Sequence, residues 1–347
     1  MSSPASVNTA RTTVRQTWID QARWAAILLV VAGHALGQMR SESDLAVVLS
    51  NFFYMFHIPV LVLLAGWGAR RIEATGGGLA KIWWQLLAPF MVFQVVAYGV
   101  NYAVKGTEPN WAFTTQTFGL WFLVALAGWR LVAPWFRGLR FGLPIAVGLA
   151  LAAGLSDRIG GTFSLSRILV FLPLFLAGPM VVDRVSEWRT KPVMRIAAGA
   201  VLAAAAATCL ILRREFWRTP FLGSRSYEAL DVGWLEGMLW RALVLVVGLV
   251  VASAFMVALP GRPGAPSAVG SWVATAGQHT MYPYLLHLPL LTVVGATSAR
   301  HLAAPTANTA IYLGGALLLT VLSVTPPVRA LLRPLVEPGT LLTRRPR

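Results

Sequence analysis

The sequence predicts an all-α membrane protein, a polytopic single bundle of about ten transmembrane helices. Three observations predict it. Hydrophobic residues make up 56% of the 347 positions and charged residues only 12%, about half the charged share of an ordinary soluble domain. Mean hydropathy is +0.65, and the apolar residues gather into runs close to or beyond the roughly 18–20 residues that cross a bilayer. The basic residues behind the formal net charge of +16 lie between those runs rather than on one patch. There they set topology and meet phospholipid headgroups, so a lipid bilayer is the expected partner and nucleic acid is not.

The spans are read at about 20–39, 47–68, 83–104, 118–136, 142–155, 165–182, 193–212, 236–259, 279–298 and 308–325. The first carries Asp20 at its start and two costlier residues further in, Arg23 and His34. Eleven residues at 100° each bring them within about 20° of three full turns, on one helix face and roughly 16 Å apart along the axis. The second holds His57-Ile58-Pro59, where proline frees a carbonyl one turn earlier and kinks the helix. Ala65-Gly66-Trp67-Gly68 follows, small residues that admit a neighbouring helix. The fourth encloses Arg130; the fifth is short and glycine-rich, and without it the downstream topology would invert. The seventh is alanine-rich and contains the single cysteine, Cys209, which excludes an intrachain disulfide or a cysteine metal cluster. The eighth encloses Arg241, and the ninth repeats the histidine–proline spacing in His287-Leu288-Pro289.

Residues 1–19 read as a cytoplasmic tail ahead of an uncleaved span, because no A-x-A site follows the first apolar run. Residues 20–325 form the membrane domain, and the proline- and arginine-rich 326–347 reads as a disordered cytoplasmic tail. With the N-terminus inside, the cytoplasmic segments hold 18 Lys and Arg and the outer segments 9, which places both termini in the cytoplasm of a multi-pass cell-membrane protein. The exception is the outer connection from Arg213 to Leu235, with four arginines beside Phe216, Trp217, Tyr227 and Trp234. Its rings suit the apolar face of a carbohydrate, or more plainly an interfacial aromatic belt.

Three of the five histidines, His34, His57 and His287, fall inside spans, about 14, 10 and 8 residues from the span starts, hence all near the midplane. Intramembrane polar groups usually face a bundle interior or a wet cavity. Each imidazole alone could merely bond a neighbouring helix; three at one depth, one sharing a face with Arg23, point to function. His279 and His301 sit at span ends.

Four segments in order resemble the acyltransferase-3 family of integral membrane acyltransferases, and within it the fucose 4-O-acetylase-like branch. They are Arg23 with ten residues to His34, the stretch Phe52 to Arg71, the segment Leu120-Trp121-Phe122-Leu123, and the run Ala276 to His287 that includes Tyr284. Ala65 stands where the family usually has serine, and Ile58 where methionine is common. The resemblance implies transfer of an acyl group, most often acetyl, from cytoplasmic acyl-CoA to a hydroxyl of a glycan or lipid-linked acceptor. Acyl-CoA is then the donor substrate, and no permanently bound cofactor is expected.

Acyl transfer needs a general base near neutral pH, and imidazole supplies one. On this reading His34 deprotonates the acceptor or carries the acyl group transiently. Arg23 holds a CoA phosphate or carbonyl oxygen, keeps a carboxylate ionised, or pairs with Asp20 as a simple anchor. His57, His287, Trp121 and Tyr284 support the substrates, and Arg70, Arg71, Lys81, Arg137 and Arg140 are candidate CoA phosphate contacts. No metal is expected, since no acidic group stands beside the imidazoles. The alternative is a transporter or flippase of a lipid-linked sugar, which intramembrane histidines and broken helices also suit. Against it stand the missing internal repeat and the missing intramembrane carboxylate relay.

Overall fold

The computed structural model describes residues 17–70, 76–117, 119–160, 162–260, 267–297 and 302–342. Apolar runs become helices because a backbone in hydrocarbon must satisfy its own hydrogen bonds. In order they are α1 (Thr17–Gly37), α2 (Asp44–Gly68), α3 (Gly76–Ile82), α4 (Ala88–Lys105), α5 (Trp121–Gly138), α6 (Gly142–Ala152), α7 (Leu165–Trp188), α8 (Pro192–Leu212), α9 (Trp234–Ala258), α10 (Ala268–Ala276), α11 (Met281–Gly295), α12 (Pro305–Ser323), α13 (Pro326–Val336) and α14 (Gly339–Leu342). Among the described residues the only β contact is an isolated bridge between Thr115 and Thr162.

Every expected span coincides with a helix, and seven stretches are long and apolar enough to cross a membrane. The other three differ for separate reasons. Helix α5 encloses Arg130 and Arg137, α6 has only 11 residues, and α11 has 15.

Helix α2 lies at the centre, packed on α1, α7 and α9. Its closest crossing is with α7. A Cβ on Gly66 would lie 1.9 Å from the Phe175 carbonyl oxygen, and one on Gly178 would lie 2.4 Å from that of Leu63. Only glycine permits backbones to approach so far, which is how helices associate where water offers no hydrophobic drive. At Pro59 the interrupted ladder is met by α9, whose Gly248 leaves room for the proline ring; a Cβ there would stand 2.9 Å from Pro59 Cγ.

The third span starts earlier than hydropathy suggests. It runs from Gly78 to Lys105, with α3 joined to α4 by a π-helical turn, Trp83–Leu87. Pro89, in the first turn of α4, has no N–H for the carbonyl one turn back. A wider turn ahead of it accommodates that loss, and such turns recur at functional sites.

The expected disordered tail is instead largely helical over its described part, 326–342, and 343–347 lie outside the described residues. Helix α13 packs on α4 and α11, with Val336 only 2% exposed. Tyr282 donates to Glu337 at 3.0 Å, and Arg329 contacts His279. The valine and leucine spacing in Pro326–Val336 makes one apolar stripe that finds a partner at the start of α11.

The connection from Arg213 to Leu235 is also ordered, as three short 3-10 turns. Asn51 donates to the Arg213 carbonyl at 2.9 Å, Arg214 pairs with Asp44 at 2.8 Å, and Ser166 donates to the Gly223 carbonyl at 2.8 Å. Tyr227 is 3% exposed, donates to the Leu151 carbonyl at 2.5 Å and lies under Arg241. Trp217 meets Trp240 edge-on, and Phe216 stacks on Phe221. These rings fasten the loop to the bundle, while Trp234 remains 62% exposed.

Candidate functional site

The three intramembrane histidines meet. The His34 ring lies 5.2 Å from that of His287 and 6.1 Å from Tyr54, and Tyr54 lies 4.7 Å from His57. Three helices supply them: α1 gives His34, α2 gives Tyr54 and His57, and α11 gives His287. The common level falls in the last turn of α1 rather than at its middle, because α1 begins before and ends closer to His34 than the sequence-read span.

Two of the rings are oriented by backbone. His57 Nδ1 lies 2.6 Å from the Phe53 carbonyl and His287 Nδ1 3.0 Å from that of Pro283. A carbonyl only accepts, so in each ring Nδ1 carries the proton and a neutral Nε2 presents a lone pair. His287 is fully buried, and its Nε2 has no hydrogen-bond partner among the described residues. His34 differs: it is partly exposed, and its Nδ1 is 3.5 Å from the Tyr54 hydroxyl, at the outer limit of a hydrogen bond. His34 and Tyr54 are thus both partly exposed, whereas His57 and His287 are packed in. Tyr284 stands 6.1 Å from His287 and donates to the Gly119 carbonyl, which holds α11 to the start of α5. Trp121 stacks on Phe171 and carries Arg167 over its ring at 4.7 Å.

Three contributors escaped the sequence reading: Tyr54, Arg167 and Arg218. Arg218 places Cζ 4.5 Å over the Tyr54 ring and lies within electrostatic reach of His34. Arg167, in the first turn of α7, reaches Tyr54 and Tyr284 in the same way. Arg40, in the turn between α1 and α2, is held down to about 10, first by burial and next by the charge of Arg218. A signal for Arg218 was present, since its loop breaks the inside excess of positive charge.

The other end of the bundle is arranged around Arg23. Its Nη1 pairs with Asp20 Oδ1 at 3.0 Å, with the Asp20 side chain 4% exposed, so the anticipated partner at i−3 is the one found. A Cβ on Gly68 would come 3.2 Å from Arg23 Nη2, which sets the guanidinium against the C-terminal turn of α2. Arg137 donates to the Ala69 carbonyl at 3.0 Å and to that of Gly66 at 3.4 Å, and Arg70 folds over Trp67 at 3.5 Å. Arg130 lies within electrostatic reach of Arg23 and donates to Gln85, on the π turn, at 3.4 Å. Of the remaining expected phosphate contacts, Lys81 is exposed on α3, Arg140 lies over Phe141 at 5.2 Å, and Arg71 lies outside the described residues. Arg23, Arg70 and Arg137 are thus gathered at one helix end.

Among the described residues no group of three or more His, Cys, Asp or Glu side chains is placed to hold a metal ion. A surface cleft of about 420 Å³, lined in part by Gly154, Tyr227, Glu228, Asp231 and Trp234, includes none of the histidines.

An all-α, many-helix membrane protein with arginines at one end and a buried histidine group toward the other is the class that fold and site define. A family model described as an acyltransferase domain, that of acyltransferase 3, matches residues 16–325. The chain belongs to this family of membrane acyltransferases. No curated protein and no solved structure matches it.

Proposed function

We propose that the protein is an O-acyltransferase of the cell membrane, moving an acyl group, acetyl in the first instance, from acyl-CoA to a hydroxyl of a carbohydrate or lipid-linked glycan. The single observation that carries this reading is the meeting of His34 with His287, Tyr54 and His57, on the same helix, α1, that carries Arg23 three turns earlier. The topology read from charge puts the Arg23 end in the cytoplasm, where acyl-CoA is available. There Arg23, Arg70, Arg130 and Arg137 offer cations to the CoA phosphates. From Arg23 to His34 is about 16 Å along α1, a distance that an extended phosphopantetheine arm bridges. The thioester then arrives at the histidines from one side while the acceptor enters from the other.

His34 takes the proton from the acceptor hydroxyl as its oxygen attacks the thioester carbonyl. The new C–O bond forms, and the carbonyl electrons move onto oxygen. Collapse expels the CoA thiolate, which takes the proton from the imidazolium. His57 and His287 position the site. The test is to incubate membranes containing the protein with labelled acyl-CoAs and to identify the glycan or lipid fraction that acquires label. Label in a hydroxyl ester supports the reading; turnover-free flux of a lipid-linked sugar would replace it with a transporter.

A further inference from the structure

The Arg218 end of the histidine group brings together Arg218, Arg167 and Arg40, with no carboxylate bound to any of the three among the described residues. Arg218 has Nη1 buried without a hydrogen-bond partner among the described residues, and its guanidinium lies over the face of Tyr54. Arg167 donates Nε to the Leu222 carbonyl at 3.1 Å and lies on the face of Trp121. Arg40 bonds only neutral groups, the Val47 carbonyl, the Ser50 hydroxyl and Asn51 Oδ1. Among the described residues none of the three enters an ion pair, and nearby Asp44 is taken by Arg214. Leaving a buried guanidinium N–H unsatisfied is unfavourable unless an anion completes it. Arg218 and His34 contact opposite parts of one phenol, the ring face and the hydroxyl. A sugar with both a hydroxyl and a carboxylate or phosphate carries the two kinds of group that His34 and Arg218 would meet.

We infer that Arg218 and Arg167 form an anion subsite for the acceptor, so that the substrate carries a carboxylate or phosphate next to the hydroxyl that is acylated. This deepens the acyltransferase reading above and rests on it for the side from which the acceptor enters. The anionic group donates no atoms to the reaction. It accepts N–H hydrogen bonds, which fixes the acceptor with its hydroxyl toward His34. Arg forks match both carboxylate and phosphate oxygens, so one subsite serves either chemistry. Trp121 and Tyr54 supply flat apolar faces beside the charges, as a sugar ring requires.

The experiment reads binding alone, with no acyl-CoA present, so its outcome is independent of whether transfer occurs. The protein is placed in phosphatidylcholine nanodiscs and titrated calorimetrically with D-glucuronate, glucose 1-phosphate and D-glucose. A charged hydrogen bond of the kind inferred corresponds to about a tenfold to hundredfold preference for the charged sugars over glucose. Arg218→Gln should bring them down to the level of glucose, Arg167→Gln should lower them in part, and Arg218→Lys should keep an intermediate preference. A parallel set of nanodiscs containing phosphatidylglycerol identifies the source: competition with glucuronate assigns the anion to a lipid headgroup, and no competition assigns it to a soluble or glycan acceptor. Melting temperature establishes that each variant is folded. Equal binding of charged and neutral sugars, no binding of either charged probe, or a preference that survives in Arg218→Gln would overturn the inference.

Discussion

Replacing Gly66 by alanine adds one methyl group at the tightest helix crossing, and its consequences can be worked from distances. The new Cβ would fall 1.9 Å from the Phe175 carbonyl oxygen and 2.8 Å from its carbon, whereas real Cβ contacts essentially never come below 3.0 Å. Helices α2 and α7 must therefore part by about 1 Å at that point. Overpacking of this kind destabilises by about 1–3 kcal/mol. The displacement also reaches the site, because His57 stands nine residues earlier on α2, about 14 Å along the axis. A shift near 1 Å at reacting groups can lower turnover about 100-fold. Gly199, in α8, gives the control, since a Cβ there meets nothing within 4 Å. Gly199→Ala should be neutral or stabilising by about 0.5–1 kcal/mol, as alanine is the better helix residue. The assay is thermal unfolding in detergent together with acyl transfer. Wild-type stability and activity in Gly66→Ala would refute the reasoning that this crossing positions the site.

Three further substitutions separate roles within the site. Arg23→Lys keeps the pairing charge for Asp20 but loses the planar fork; it should raise KM for acyl-CoA several-fold, and unchanged kinetics would return Arg23 to the role of an anchor. His287→Asn retains a donor for the Pro283 carbonyl and removes the Nε2 lone pair; a fall in kcat of about tenfold or more with little change in KM is expected, and full activity would limit His287 to packing. Tyr54→Phe keeps the ring beneath Arg218 and deletes the hydroxyl near His34, so stability should hold within about 1 kcal/mol while turnover falls. A loss of fold in Tyr54→Phe, read by melting temperature, would contradict that division.

Hydropathy made most of the bundle legible. The long runs needed no tertiary information, because hydrocarbon selects helices for any sufficiently apolar stretch. Helix α13 was missed because Pro326, Pro327 and Pro334 with Arg329 and Arg333 dominate its composition. The stripe Val328, Leu332 and Val336 that lies among them has helical spacing and a docking surface only in three dimensions. The early start of the third span was hidden by Lys81 and by the glycines Gly76, Gly77 and Gly78 ahead of it, which set the expected beginning at residue 83. In the site, His34, His57 and His287 could be read because polar groups inside spans stand out against their neighbours. Arg167, at the start of α7, and Arg218, in the loop before α9, looked like topology charges at span ends, and only folding brings them beside the histidine group. Tyr54 looked like one more aromatic residue in an aromatic stretch. The role expected of Arg137 as a phosphate contact competes with a visible one, closing the exposed carbonyls at the end of α2.

The central claim is that His34 acts as the base for acyl transfer. The most direct measurement is transfer of label from acyl-CoA to the membrane acceptor fraction by His34→Ala, purified and shown by melting temperature to be folded. Loss of the base predicts a fall of about 100-fold to 10,000-fold in rate, with acyl-CoA binding retained. Wild-type transfer by the folded variant would contradict the account.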